Sequence, residues 1–145
     1  MKKGCIYTIA GCGKDGFEGD GGDAKLSMLN EPKGLTLDSQ GNIYIADSEN
    51  CLVRLVNSKG MISTIAGSTS SEKVMDDKEN AYERKFKTHL GEIPRREGLA
   101  VELLGDGKEA KLAKLLFPSA VATDQEGNIY ISDTYNHRIR KVDFN

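Results

Sequence analysis

The sequence predicts an all-β protein built from two copies of a four-stranded antiparallel meander. Two observations lead there. First, part of the chain repeats. Asp20-Gly21-Gly22-Asp23-Ala24-Lys25-Leu26 returns as Asp106-Gly107-Lys108-Glu109-Ala110-Lys111-Leu112, and Gly41-Asn42-Ile43-Tyr44-Ile45-Ala46-Asp47 returns as Gly127-Asn128-Ile129-Tyr130-Ile131-Ser132-Asp133. Pro32, Asp38, Asn50, Arg54 and Val56 return as Pro118, Asp124, Asn136, Arg140 and Val142, all at the offset of 86 that separates Asp20 from Asp106. Of the 37 positions from 20 to 56, 17 are identical in the second copy, far more than unrelated segments share. Second, apolar and polar residues alternate with period two between turns rich in Gly, Asn and Asp, the pattern of short strands. The 16 glycines against 3 prolines suit tight turns.

The elements follow in chain order. Strand a runs from Gly34 to Leu37, and Asp38-Ser39-Gln40-Gly41 turns the chain, with Gly41 free to take positive φ. Strand b covers Asn42 to Ala46, Asp47 to Asn50 turn again, and strand c covers Leu52 to Val56. Asn57 to Gly60 form the third turn before strand d, Met61 to Ala66. The second copy repeats a (Ala120 to Thr123), b (Asn128 to Ser132) and c (Arg138 to Asp143). Ile6-Tyr7-Thr8-Ile9-Ala10-Gly11 echoes Ile62-Ser63-Thr64-Ile65-Ala66-Gly67 at an offset of 56, so Ile6 to Ala10 is expected as the strand d of a preceding unit. Such meanders are the blades of a β-propeller.

The GDGGxA segment at Gly19 to Ala24, then Leu29 and Pro32, the DxxGNxYIADxxNxxxR run from Asp38 to Arg54, and the IxTIAG strand at Ile62 to Gly67 together resemble the NHL repeat. The resemblance implies a β-propeller of NHL type, in which rings of six blades are usual. Lys108 stands in place of Gly22 and Ala120 in place of Gly34, departures that touch loops and not the blade pattern.

Three regions result. Residues 1–67 hold a strand d of a preceding blade and one full blade. Residues 68–104 form a charged insertion. Residues 105–145 hold a second blade without its strand d. Two blades leave both flanks of the stack open, so the chain is read as an incomplete ring. It is either part of a longer protein, the preferred reading, or the protomer of an oligomeric ring, three copies making six blades. Within the insertion, Met75, Tyr82, Phe86 and Leu90 make one apolar stripe at helical spacing, with Glu83 and Lys87 at i, i+4. This predicts a helix capping the open blade, a partner-binding helix, or a loop.

The composition narrows function. Net charge is −2, from 20 basic and 22 acidic residues. Proteins that grip phosphate backbones carry a basic surplus, so nucleic acid is not an expected partner. The run His137-Arg138-Ile139-Arg140-Lys141 reads as a solvated strand edge. No stretch has the apolar length of a membrane helix, and Met1-Lys2-Lys3 followed by Gly and charge makes a poor signal peptide. Cys5, Cys12 and Cys51 are odd in number and fit neither a zinc nor a redox spacing, which favours free thiols and a cytoplasmic setting.

The candidate binding residues are Asp47, Glu49 and Asn50 in the first b–c turn, and Asp133, Tyr135, Asn136 and His137 in the second. A meander places these turns on one face with the long d–a loops, Gly11 to Glu31 and Gly67 to Phe117, and binding residues favour such loops. The recurring set Asp47, Asn50, Arg54 and Asp133, Asn136, Arg140 also has a structural reading, preferred because it recurs. There Asp accepts turn amides, Asn takes the left-handed conformation and Arg pairs with a carboxylate. Gly19 to Asp23 lacks calcium-loop spacing and any phosphate-loop Lys. Some proteins that resemble this family are lyases with several histidine ligands for zinc, but His89 and His137 alone cannot supply three, and no Ser-His-Asp order is present. No cofactor, metal site or catalytic residue is therefore expected. The preferred function is a non-catalytic interaction module binding a protein, peptide or glycan through the loop face. The alternatives are part of a metal-dependent lyase or hydrolase completed elsewhere, and an extracellular sensor domain of a receptor.

Overall fold

The computed structural model describes residues 2–68 and 104–144, and the apolar stripe from Met75 to Leu90 expected on a helix lies outside them. Seven strands form two antiparallel sheets with no α-helix among the described residues. In the first sheet β1 (Pro32–Leu37), β2 (Ile43–Asp47), β3 (Leu52–Val56) and β4 (Ile62–Ala66) follow in the order β1-β2-β3-β4. In the second, β5 (Pro118–Thr123), β6 (Ile129–Asp133) and β7 (Arg138–Val142) follow in the order β5-β6-β7. Strands a and b differ from expectation by one or two residues. Pro32 and Pro118 still face Asp47 and Asp133 across a bulge that ends before Gly34 and Ala120, a place where a residue without an N–H is tolerated.

Turn chemistry explains the hairpins. The Asp38 carboxylate accepts the backbone amides of Gln40 and Asn42, each at 2.9 Å, and Gly41 takes φ +80°. Asp124 does the same for Glu126 and Asn128. The second oxygen of Asp38 accepts Asn42 Nδ2 and Tyr44 Oη at 2.8 and 3.0 Å. Burial pulls the Asp38 pKa up, but the hydrogen bonds from Asn42, Tyr44 and Gln40 together hold it below the ordinary value of 3.8. The Asn128 side chain leads the same lowering at Asp124. Burial, then the bond to Asp38, pushes the Tyr44 phenol up to about 12.

The two sheets stack face on face. Tyr44, Ala46 and Val53 of the first meet Val121, Ile129 and Ile131 of the second in one core, and Ala66 and Leu115 close it. Period-two alternation does this: Tyr44 and Ala46 point to the second sheet, while Ile43 and Ile45 point away to a smaller cluster with Ala24, Val56 and Ile62. β1 and β5 approach most closely. A Cβ on Gly34 would lie 2.6 Å from Ser119 O and 2.8 Å from Ala120 Cα, and Thr123 Oγ1 donates to Leu37 O at 3.2 Å.

Equivalent positions show that the two outer flanks are exposed versions of this packed interface. Val53 is fully buried against the second sheet, whereas Ile139, its counterpart, is 71% exposed. On the opposite flank Leu35 is 61% exposed while its counterpart Val121 is 7% exposed. The stack is thus two blades of a propeller.

One expectation needs correction, and one segment has no partner here. Among the described residues, 6–10 lie in no sheet: Ile6 is 98% exposed, and the first paired strand is β1. A strand needs a neighbour, and the third strand of a preceding blade is not among the described residues. The loop from Gly11 to Glu31 does not stay on the face of the b–c turns. Its middle runs along the outside of β4, Gly21 N donating to Ile62 O at 2.7 Å and Ala24 N to Gly60 O at 2.8 Å. The loop thereby covers an edge that would otherwise present bare backbone groups.

Two outcomes test this packing. Gly34→Ala, which forces the inner strands apart, is expected to destabilise the fold by about 1–3 kcal/mol in urea unfolding, as overpacking does; unchanged stability would contradict the close approach. The depressed pKa values of Asp38 and Asp124 mean their contribution is present above the unfolded-state pKa and lost as pH falls through the lower folded values. Stability should decline below about pH 4, and Asp38→Asn with Asp124→Asn should flatten part of that decline.

Candidate functional site

The b–c turns and the long loops are locked together by a buried arginine. Arg54 on β3 is fully buried and lies between two carboxylates. Its Nη1 donates to Asp47 Oδ2 at 3.1 Å, and Nε and Nη2 donate to Asp20 Oδ1 at 3.1 and 2.9 Å. Nη1 also reaches Met28 O at 3.3 Å, and the guanidinium lies 4.9 Å from the centre of the Phe17 ring. The other carboxylate oxygens reach outward: Asp47 Oδ1 accepts the amide of Asn30 at 2.7 Å and Asp20 Oδ2 that of Thr64 at 3.0 Å. One side chain therefore holds the b–c turn, both halves of the loop and β4.

The second blade repeats the device. Arg140 pairs with Asp133 at 3.1 Å and with Asp106, and its Nη2 donates to Leu104 O at 3.2 Å. Asp133 Oδ1 accepts the amide of Leu116 at 2.7 Å. Asp20 and Asp106 lie 34 residues from the arginines they clamp, and the sequence marks them only by their recurrence at the same offset as Arg54 and Arg140.

The structure divides the candidate residues. Asp47 and Asp133 are fully buried and saturated with donors, which corrects the expectation that they meet a partner. Asn50 and Asn136 are half-buried, and their Nδ2 groups bridge those carboxylates to Gly16 O and Lys114 O. The left-handed residue of each turn is the next one, Cys51 at φ 57° and His137 at φ 54°, and not the Asn of the structural reading. Here the Asn side chain is needed as a bridging donor. Glu49 and Tyr135 are half-buried and His137 is exposed, all in the two b–c turns. The amide of Glu49 donates to Asn30 O, that of Tyr135 to Leu116 O, and the Tyr135 ring packs edge-on to Phe117 at 5.1 Å. All three cysteines are free thiols, Cys5 and Cys12 exposed and Cys51 half-buried. Among the described residues no cluster of three His, Cys, Asp or Glu is placed to hold a metal ion, and no helix is long and apolar enough to cross a membrane.

Stacked antiparallel meanders of four and three strands, tied by a repeated Asp–Arg–Asp clamp, define a repeat-built β-propeller. The family model of the Teneurin NHL domain matches residues 10–84, and that of the NHL repeat matches residues 115–142. The chain belongs to the NHL-repeat family. It is 28% identical to NHL repeat-containing protein 2 of Bos taurus over 99% of this chain and 17% of that protein. It is 46% identical to Teneurin-1 of Gallus gallus over 34% of this chain and 2% of that protein. Among solved structures, a Bacteroides thetaiotaomicron protein of unknown function superposes with a TM-score of 0.62 at 20% identity, over 94% of this chain and 26% of that one. An auxiliary nutrient binding protein of the same organism superposes at 0.59 and 20% identity, over 93% of this chain and 28% of that one. These structures speak for the fold alone. The chain spans less than a third of each relative named here.

Removing one member of a buried ion pair strands the other. Asp47→Ala is expected to destabilise the fold by about 3–5 kcal/mol, and Asp20→Ala by less, since Asp20 is partly open to water. Equal losses in denaturant titrations would contradict this ranking.

Proposed function

We propose that the chain is a non-catalytic interaction module that takes a protein, peptide or glycan on the face bearing the turns between β2 and β3 and between β6 and β7. NHL repeats generally build β-propeller modules for protein interaction. What carries the reading is the rigidity of these turns. The clamped carboxylates of Asp47 and Asp133 fix Asn30 and Leu116 of the flanking loops, while Glu49, Tyr135 and His137 keep surface exposed to solvent. A fixed frame with an acidic, an aromatic and an imidazole group suits recognition, because little ordering entropy is lost on docking. Tyr135 is the natural anchor, since its ring is already held by Phe117. No observation among the described residues favours the hydrolase, lyase or receptor alternatives. His137 stands alone in its turn, and His89 lies outside the described residues.

The test is a peptide display library and a glycan array probed with the 145-residue chain. Clones or glycans that bind it are expected to lose binding about tenfold or more to a variant with Glu49→Arg and Tyr135→Ala. Loss of the Tyr135–Phe117 contact is expected to lower its melting temperature, so its folded state at the binding temperature is checked by circular dichroism. Retained binding would overturn the placement of the site.

A further inference from the structure

Sheet one continues past β3 into β4, whereas β7, the counterpart of β3, is the edge of sheet two among the described residues. We propose that this edge receives residues 6–10 of a second copy of the chain as its fourth strand, with Asp106 taking the amide of Thr8.

Four observations converge. The segment Ile6-Tyr7-Thr8-Ile9-Ala10-Gly11 shares five of six residues with Ile62 to Gly67, which contains β4. Among the described residues of its own chain it lies in no sheet, with Ile6, Tyr7 and Ile9 exposed.

Its far end is already anchored as the end of β4 is. Gly11 N donates to Ala24 O at 2.8 Å with φ +89°, as Gly67 N donates to Ala110 O at 3.0 Å with φ +87°. Ala10 packs on the cluster containing Ala24, as Ala66 belongs to the core against which Ala110 packs. The segment thus leaves blade one where the outer strand of a preceding blade would.

The receiving edge is shaped to match. β4 sits between β3 and the Gly21–Ala24 segment, and Asp20 Oδ2 holds its Thr64 amide. The corresponding place in blade two is a groove of about 690 Å³ between β7 and residues 105–111. Asp106 stands there paired through Oδ1 to Arg140, as Asp20 is to Arg54.

The flanks agree with the edge. Seating β7 of one copy beside residues 6–10 of another brings the exposed Ile139 and Tyr130 flank of the first onto the exposed Leu35 and Leu37 flank of the second. That contact has the order of the buried one inside the chain, but Ala120 carries the methyl that Gly34 lacks, so the inner strands of the two copies must sit farther apart than β1 and β5 do. It is head-to-tail, so it can repeat from copy to copy.

The register is set by β3 and β4, where Val53 faces Ala66, Arg54 Thr64, Leu55 Ser63 and Val56 Ile62. Transferred by the two offsets, Ile139 faces Ala10, Arg140 Thr8, Lys141 Tyr7 and Val142 Ile6. Backbone pairing at an open edge then supplies affinity, and the Asp106 carboxylate adds a charge-assisted bond.

The 145-residue chain is tested by sedimentation over a range of concentration, alone and as Thr8→Pro, which removes the one amide meant for Asp106. The parent is expected to assemble. The variant is expected to associate about tenfold more weakly or worse, with an unchanged melting temperature for the monomer, in which residues 5–9 pair with no strand. In a Cys5→Ser, Cys12→Ser background, Tyr7→Cys chains mixed with Lys141→Cys chains should form a disulfide between copies. A parent that stays monomeric at every concentration, an assembly indifferent to Thr8→Pro, or mixed chains that do not cross-link would each overturn the proposal.

Discussion

A fully buried guanidinium is the constraint on which the first blade depends, and a largely buried one serves the second. Arg54 cannot leave water without two carboxylates and further acceptors around it, because an unmatched buried charge is prohibitively unfavourable. Asp47 and Asp20 supply that match, and each uses its other oxygen on a backbone amide, Asn30 and Thr64. The ion pair therefore determines loop path as well as local charge. The turn, the long loop and the outer strand are positioned together or not at all. Arg140, Asp133 and Asp106 place the same demand on the second blade.

The clamp also accounts for the division of labour within the turns. The residues most eye-catching by charge are spent on the frame, since Asp47 and Asp133 are buried. Their neighbours Glu49, Tyr135 and His137 retain solvent-facing surface on a frame that does not yield. Between blades a different physics operates, with Tyr44, Val53, Val121 and Ile131 forming an apolar seam closed at the inner strands by the small residues Gly34 and Ala120. Both outer flanks keep apolar residues at positions of that seam, Ile139 and Tyr130 on one and Leu35 and Leu37 on the other.

Much of this was legible in the sequence, for physical reasons that can be named. Strands of period two bounded by Asp38 and Gly41, or by Asn57 and Gly60, depend on local turn chemistry, and they fall within two residues of expectation. The pairing of Arg54 with a carboxylate is legible too, because Asp and Arg recur at one offset, whereas the amide Asp47 accepts is that of Asn30 and not one of its own turn. Three features were not legible. Asp20 completes the clamp across 34 residues, a pairing that no local pattern encodes. Cys51 and His137, not the asparagines before them, take the left-handed conformation, because the Asn50 and Asn136 amides serve as bridges. Ile6 to Ala10 has the sequence of a strand, but strand formation needs an edge to pair with, and that depends on what else is present.

Native-state hydrogen exchange at the amides of Asn30 and Thr64 tests the clamp most directly. If the guanidinium unites loop, turn and strand, both amides exchange only through global unfolding, at the same free energy as the core of β2 and β3, despite lying at the periphery. Asp20→Asn then speeds both together. Exchange of either amide at the rate of a free loop, with β2 and β3 still protected, would contradict the account.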